Sequence, residues 1–145
     1  MERIPTILLV DDNPGDLALT QEAFHECGLI ANFQTASDGL EALALLSKTG
    51  VHATAATPDL ILLDLNLPRM SGREVLTYIK RNERLRRIPT IILTTSSRQQ
   101  DIEQCYELCA NTYIVKPVHW SQFLALVRSL ESYWLSVATL PSTTV

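Results

Sequence analysis

Three acids, a hydroxyl and an amine close four short apolar runs of this chain: "TILLV" leads into Asp11-Asp12, "LILL" into Asp64, "TIIL" into Thr94-Thr95, and "TYIV" into Lys116 and Pro117. An ionised carboxylate alone in an apolar interior costs several kcal/mol. Asp64 must therefore lie at the end of its buried segment, with cations or donors beside it. Acids packed closely raise one another's pKa unless a cation intervenes. Mg²⁺ suits that role, because it takes oxygen ligands and keeps waters that a phosphate can displace. A carboxylate is also a competent nucleophile toward a phosphoryl group. Phosphoryl transfer asks mainly for positioning and for neutralised equatorial oxygens. A metal on one side, Lys116 on another and the Thr94 hydroxyl on a third would provide both.

Each residue alone has a plainer account. A strand-end acid more often caps a helix or opens a turn, so Asp11 and Asp12 could simply cap the next helix, and Lys116 could be a solvated lysine. Their joint placement at corresponding ends of successive runs favours one shared site.

The elements that must position these residues are legible as alternating signals. Near-continuous runs at Thr6 to Val10, Leu60 to Asp64, Thr90 to Thr95 and Thr112 to Lys116 suit strands covered on both faces, the usual state of a parallel sheet. "NFQTA" (Asn32 to Ala36) is a weaker, alternating run. Helical spacing lies between them: Leu17, Phe24 and Cys27, with Pro14 and Gly28 as punctuation; Leu40, Leu43 and Leu46 after Asp38; Val75, Leu76 and Ile79 after Ser71; Ile102, Cys105, Tyr106 and Cys109 after Ser97; and a long last segment from His119. Five strand–helix alternations predict a doubly wound α/β fold with right-handed crossovers. In such a fold the ligand site lies beyond the carboxyl ends of the strands, where the reactive residues collect.

Composition sets the outer limits. Of 145 residues, 46% are hydrophobic and 19% charged, with a net charge of −4: an ordinary globule of one domain, without the charge for whole-surface binding of nucleic acid. No apolar stretch approaches the roughly 20 residues that cross a bilayer, and no signal peptide is visible at the N-terminus. Cys27, Cys105 and Cys109 make a poor disulfide framework, so a cytoplasmic location is expected.

Together, "LLVDDN", "LLDLNLPRMSG", "IILTTS" and "YIVKP" resemble a response-regulator receiver domain over about residues 5 to 130. The resemblance implies a flavodoxin-like five-stranded parallel sheet, (βα)5, in one domain spanning 1–145, with 131–145 as a C-terminal extension. It implies that Asp64 is the phosphoacceptor for a sensor histidine kinase, with Mg²⁺ as cofactor. Asp12 resembles the direct metal ligand, Asp11 the ligand acting largely through water, and Asn66 the residue offering its backbone carbonyl. Thr94 resembles the hydroxyl that turns toward the phosphoryl group, Lys116 the lysine that pairs with it, and Tyr113 the aromatic rotamer switch. Such a domain catalyses its own phosphorylation and dephosphorylation and signals by protein contact, through the face built from the fourth helix, fifth strand and fifth helix. Thr95 stands where the family often has Ala or Gly, so it should narrow access to the phosphoryl group. Asn66 and Ser96 lie at positions that tune hydrolysis.

The last helix carries two apolar stripes: Trp120, Leu124, Val127 and Trp134, and then Leu126, Leu130, Tyr133, Val137 and Leu140. One stripe suffices to pack on the sheet. The second suggests an interface, with Leu126, Leu130, Tyr133, Trp134, Val137 and Leu140 as its candidates; the alternative is a helix that curls back and buries both. The tail "SYWLSVATLP" resembles single-domain regulators paired with cyanobacterial phytochrome histidine kinases, some of them homodimers. The resemblance implies a homodimer and a downstream protein partner, and no membrane partner is expected.

Other features have plainer readings. Cys105 and Cys109 are spaced for a helical metal pair but fit packing better. Arg69, Arg73, Lys80, Arg81, Arg84, Arg86 and Arg87 make a basic region that lacks the aromatic interleaving of a nucleic-acid site, which favours a solvated face. Two other functions compete. A haloacid-dehalogenase-type phosphohydrolase needs an acid two residues after its nucleophile, where this chain has Asn66. A binding-only, degenerate receiver is at odds with the complete set Asp11, Asp12, Asp64, Thr94 and Lys116.

Overall fold

The computed structural model describes residues 3–141. In chain order the elements are β1 (Thr6–Val10), α1 (Pro14–Glu26), β2 (Asn32–Ala36), α2 (Gly39–Ser47), β3 (Leu60–Leu63), α3 (Gly72–Arg81), β4 (Thr90–Thr94), α4 (Gln99–Glu107), β5 (Thr112–Val115) and α5 (Trp120–Ser132). A π-helical turn, Tyr133–Val137, continues α5, and a short 3-10 turn, Gly50–His52, breaks the loop after α2. All five strands are parallel, in the order β2-β1-β3-β4-β5. This strand order is the flavodoxin-like doubly wound one.

The three central strands are buried at every residue, because alternate side chains enter two separate cores. Leu8, Val10, Ile61, Leu63 and Ile92 meet Ala42, Leu45, Val75, Leu76, Ile79 and Cys105 from α2, α3 and α4. On the other face Ile7, Leu9, Leu60, Leu62, Ile91 and Leu93 meet Ala23 and Phe24 of α1 and Val127 and Leu130 of α5.

Several local expectations need revision. The inward face of α2 is Gly39, Ala42, Leu45 and Leu46, and Leu40 is 40% exposed. Gly39 turns that face inward: a Cβ there would stand 1.9 Å from the Met70 carbonyl oxygen, so only glycine permits the approach. The N-cap of α4 is Arg98, with no side-chain cap bond, rather than Ser97; the Ser96 hydroxyl instead accepts the Arg98 N–H at 3.3 Å. Cys109 lies beyond α4 with φ +70° and is exposed, while Cys105 is fully buried. The basic region divides between solvated side chains and half-buried ones. Arg69 pairs with Asp38, Arg73 with Asp101, Lys80 donates to Asn111 at 3.0 Å, and Arg84 donates to the Leu46 carbonyl at 2.7 Å. Arg73, Lys80 and Arg84 are half-buried, and Arg69, Arg81, Arg86 and Arg87 are exposed.

The second stripe of the last helix divides. Leu130 is 4% exposed and belongs to the core, and Leu126 and Trp134 pack against it. Tyr133 and Val137 stay 55% and 71% exposed. Leu140 is half-buried beside Trp134 and Arg3, around a cavity of about 630 Å³. Residues 142–145 of the expected extension lie outside the described residues.

Candidate functional site

Each reactive residue sits at or just past the end of its strand, held there by one more rung of the ladder. Asp11 donates its backbone N–H to Ala36 at 3.0 Å, Asp64 to Val10 at 3.0 Å, and Lys116 to Thr94 at 2.7 Å. The parallel register thereby sets the side chains of three strands on one rim.

Lys116 is the centre of that rim. Its ammonium donates to Asp11 Oδ2 at 2.5 Å, Asp16 Oδ2 at 3.0 Å and Asp64 Oδ2 at 3.1 Å. Its side chain is 9% exposed, as is that of Asp64. Burial by itself would lower the lysine's pKa. The Asp11 hydrogen bond, the charges of Asp64 and Asp11 and the Asp16 bond outweigh it and hold the pKa well above the ordinary lysine value. Lys116 is a permanent cation here. Burial raises the Asp11 carboxyl above the usual range, with the Asp64 charge adding to it, against the opposing pull of Lys116 and of the Asn13 N–H. That N–H donates to Asp11 Oδ1 at 3.0 Å, so both Asp11 oxygens are engaged. Asp12 is exposed.

One carboxylate oxygen from each of Asp11, Asp12 and Asp64 lies within 4.8 Å of the other two. An all-oxygen cluster carrying more acids than the one lysine can offset suits a hard divalent cation. Asn66 is exposed two residues after Asp64 and donates its N–H toward Asp64 Oδ1 at 3.4 Å.

The Asp64 loop is clamped by a second close approach. Gly72 opens α3 with its N–H on the Leu65 carbonyl at 2.9 Å, and a Cβ there would stand 2.1 Å from the Asp64 carbonyl oxygen. Ser71 and Glu74 form a capping box that fixes the start of α3 at this point.

Thr94 ends β4 fully buried, and among the described residues its hydroxyl has no hydrogen-bond partner. A buried unpaired hydroxyl costs about 1–3 kcal/mol, so it marks a place where a partner is expected. Thr95 is exposed and lines a cavity of about 370 Å³ with Lys116, Asp16, Leu19, Trp120 and Phe123. Tyr113 packs against the core, and its hydroxyl donates to the Ser96 carbonyl at 2.8 Å.

The structure thus brings Asp11, Asp12, Asp64, Thr94 and Lys116 to one rim, with Tyr113 one loop away. Asp16 was missed by the sequence reading. Asn13 caps α1 by accepting from Gly15 and Asp16 N–H groups at 2.8 and 3.1 Å, and this turn sets the Asp16 side chain on Lys116. An acid in the first turn of a helix after a strand-end acidic pair was the available signal.

Comparisons with known proteins agree with this geometry. The family model for the response regulator receiver domain matches residues 7–128. Response regulator Rcp1 of Synechocystis sp. is 42% identical over 136 residues, covering 94% of this chain and 92% of that protein. The crystal structure of the phosphorylated cyanobacterial phytochrome response regulator RcpA superposes with a TM-score of 0.93 at 46% identity, covering 97% of this chain and all of that one. The Mn(2+)-bound form of Rcp1 superposes with a TM-score of 0.90 at 41% identity, over 95% and 99% of the two chains. Among the described residues, no helix is long and apolar enough to cross a membrane.

Proposed function

The chain belongs to the response regulator receiver domains, and from that premise we propose that Asp64 accepts a phosphoryl group from the phosphohistidine of a sensor histidine kinase of the phytochrome type. The carboxylate oxygen forms the new O–P bond as the N–P bond breaks, and the departing imidazole takes a proton from solvent. The observation that carries this reading is the Lys116 ammonium held on Asp64 and Asp11 at the end of a buried strand. Lys116 would neutralise one phosphoryl oxygen, and the Thr94 hydroxyl, unpaired among the described residues, would donate to another. Mg²⁺ would be held by Asp11, Asp12, Asp64 and the Asn66 backbone carbonyl, and when bound would neutralise the remaining phosphoryl charge. The same residues would support slow self-dephosphorylation by water. The phytochrome pairing rests on the resemblance to RcpA and Rcp1 along nearly the whole chain.

The signal leaves by protein contact. Tyr106, Val115 and Trp120 are 49%, 41% and 38% exposed on α4, β5 and α5, and this face would meet a downstream protein. Tyr133 and Val137, on the π-helical turn, would meet a second copy of the chain in a cytoplasmic homodimer, with Leu126, Leu130, Trp134 and Leu140 supporting them from beneath.

The test is intact-mass spectrometry after incubation with acetyl phosphate and Mg²⁺. One phosphoryl group is expected, lost in Asp64→Asn and without the metal. Retention in Asp64→Asn would make Asp64 the wrong acceptor. Sedimentation of wild type beside Val137→Glu tests the homodimer: the variant should be monomeric.

A further inference from the structure

Arg73, Asp101 and Ser96 belong to α3, α4 and the loop before α4, yet they form one line of bonds. Arg73 Nε donates to Gln104 Oε1 at 3.0 Å, and a terminal guanidinium nitrogen pairs with Asp101 Oδ1. The other carboxylate oxygen of Asp101 accepts the Ser96 hydroxyl at 2.5 Å. Asp101 is only 6% exposed and lies in the first turn of α4, where the helix dipole favours an anion. The Ser96 hydrogen bond, aided by Arg73 and Arg98 against the cost of burial, holds its carboxyl below the usual range. An ionised carboxylate only accepts, so Ser96 must be the donor. Its oxygen then remains free to accept the Arg98 N–H.

Ser96 is thereby fixed through its side chain, and its carbonyl is the group that receives the Tyr113 hydroxyl. At the other end of the line, Arg73 directly follows Gly72, the residue pressed against the Asp64 carbonyl. Exposed ion pairs contribute little. This one differs, because both oxygens of a buried carboxylate are engaged by two other segments.

We propose that Asp101 is a positioning residue of the switch: paired with Arg73 and bonded to Ser96, it ties the Tyr113 ring to the end of α3 that holds the Asp64 loop. The proposal rests on the reading of Tyr113 as the residue that answers phosphorylation. Spatial continuity alone does not establish energetic coupling, so the coupling itself must be measured.

The full chain carrying 3-fluorotyrosine is observed by ¹⁹F NMR as wild type, Asp101→Asn, Ser96→Ala and the double variant, with Tyr113→Phe assigning the resonance. Without any phosphoryl mimic, each single variant is expected to move the Tyr113 signal by more than its linewidth. The double variant should move it no further than the larger single change, and Glu103→Gln, on the exposed side of α4, should leave it in place. An unmoved signal in folded Asp101→Asn overturns the proposal, as does simple additivity in the double variant. Thermal melts report folding; should Asp101→Asn not fold, Ser96→Ala carries the same decision. Adding Mg²⁺ and beryllofluoride to wild type separates the two readings. A Tyr113 signal that ignores the mimic, yet moves in Asp101→Asn, refutes the switch reading alone. One that answers the mimic, yet stays unmoved in Asp101→Asn, refutes the positioning role alone.

Discussion

Lys116 Nζ lies 3.1 Å from Asp64 Oδ2 while also bonded to Asp11 and Asp16. One ammonium from the end of β5 is shared by carboxylates that follow β1 and β3 and by a third from the first turn of α1. The cluster keeps an excess of negative charge even with the lysine in place.

Lys116→Met removes the only cation bonded to these acids among the described residues. The Mg²⁺ affinity of the variant should rise at least tenfold, or about 1.4 kcal/mol, because the lysine charge is largely buried among the same acids and weakly screened there. Phosphoryl acceptance from acetyl phosphate should fall to background, because an oxygen of the incoming group loses its counter-charge. Calorimetric titration with Mg²⁺ and intact-mass spectrometry read the two effects separately. Unchanged metal affinity would show that the lysine charge is not felt at the acids.

Gly72→Ala places a methyl group 2.1 Å from the Asp64 carbonyl oxygen and 2.7 Å from Leu65 Cα. Both are backbone atoms, so relief requires moving either the Asp64 loop or the start of α3. Overpacking of this kind typically costs about 1–3 kcal/mol, or about 2–4 °C of melting temperature per kcal/mol in a chain of this size. Beryllofluoride binding should weaken as well, because the displaced backbone carries the acceptor. Full binding in a destabilised variant would separate the clamp from the site.

The sheet and the residues gathered on its rim were legible in the sequence for a physical reason. A strand buried on both faces must be apolar at every position, so the polar residue that ends "LILL" or "TILLV" marks both the strand end and the site. What periodicity cannot convey is where a long side chain reaches. Asp16 lies 100 residues from Lys116, and Arg73 lies 28 from Asp101. These contacts follow from rotamers and helix docking, which leave no spacing signature. The α2 face was misread for a related reason: three leucines at helical spacing count as apolar surface, but the close approach at Gly39 decides which side turns inward. Leu130 and Tyr133 look equivalent along one stripe, yet one is core and the other exposed.

Acid should expose the contribution of Asp101. Its carboxyl titrates below the usual range in the folded chain and near 3.8 once unfolded. A depressed folded-state pKa gives stability that is complete above the unfolded value and is lost as pH falls through the folded one. Asp101→Asn should therefore melt below wild type at pH 7, and the gap should close as the pH falls below about 4. Melting curves between pH 7 and pH 3 check this. A gap that stays constant would assign the loss to packing rather than to the carboxylate charge.

Thr94→Val should raise stability while removing response. The Thr94 side chain is wholly buried with its hydroxyl unpaired among the described residues, so an isosteric apolar replacement removes a desolvation cost of about 1–3 kcal/mol. Valine also suits a buried strand. The melting temperature of the unphosphorylated variant should therefore increase by a few degrees, about 2–4 °C per kcal/mol. The same hydroxyl is the group proposed to donate to the phosphoryl oxygens, so the Tyr113 fluorine resonance of Thr94→Val should no longer follow beryllofluoride. A residue that weakens the resting protein and strengthens the phosphorylated one is what a two-state switch requires. Loss of stability in Thr94→Val would mean that the hydroxyl is satisfied at rest, and a retained Tyr113 response would place the trigger elsewhere.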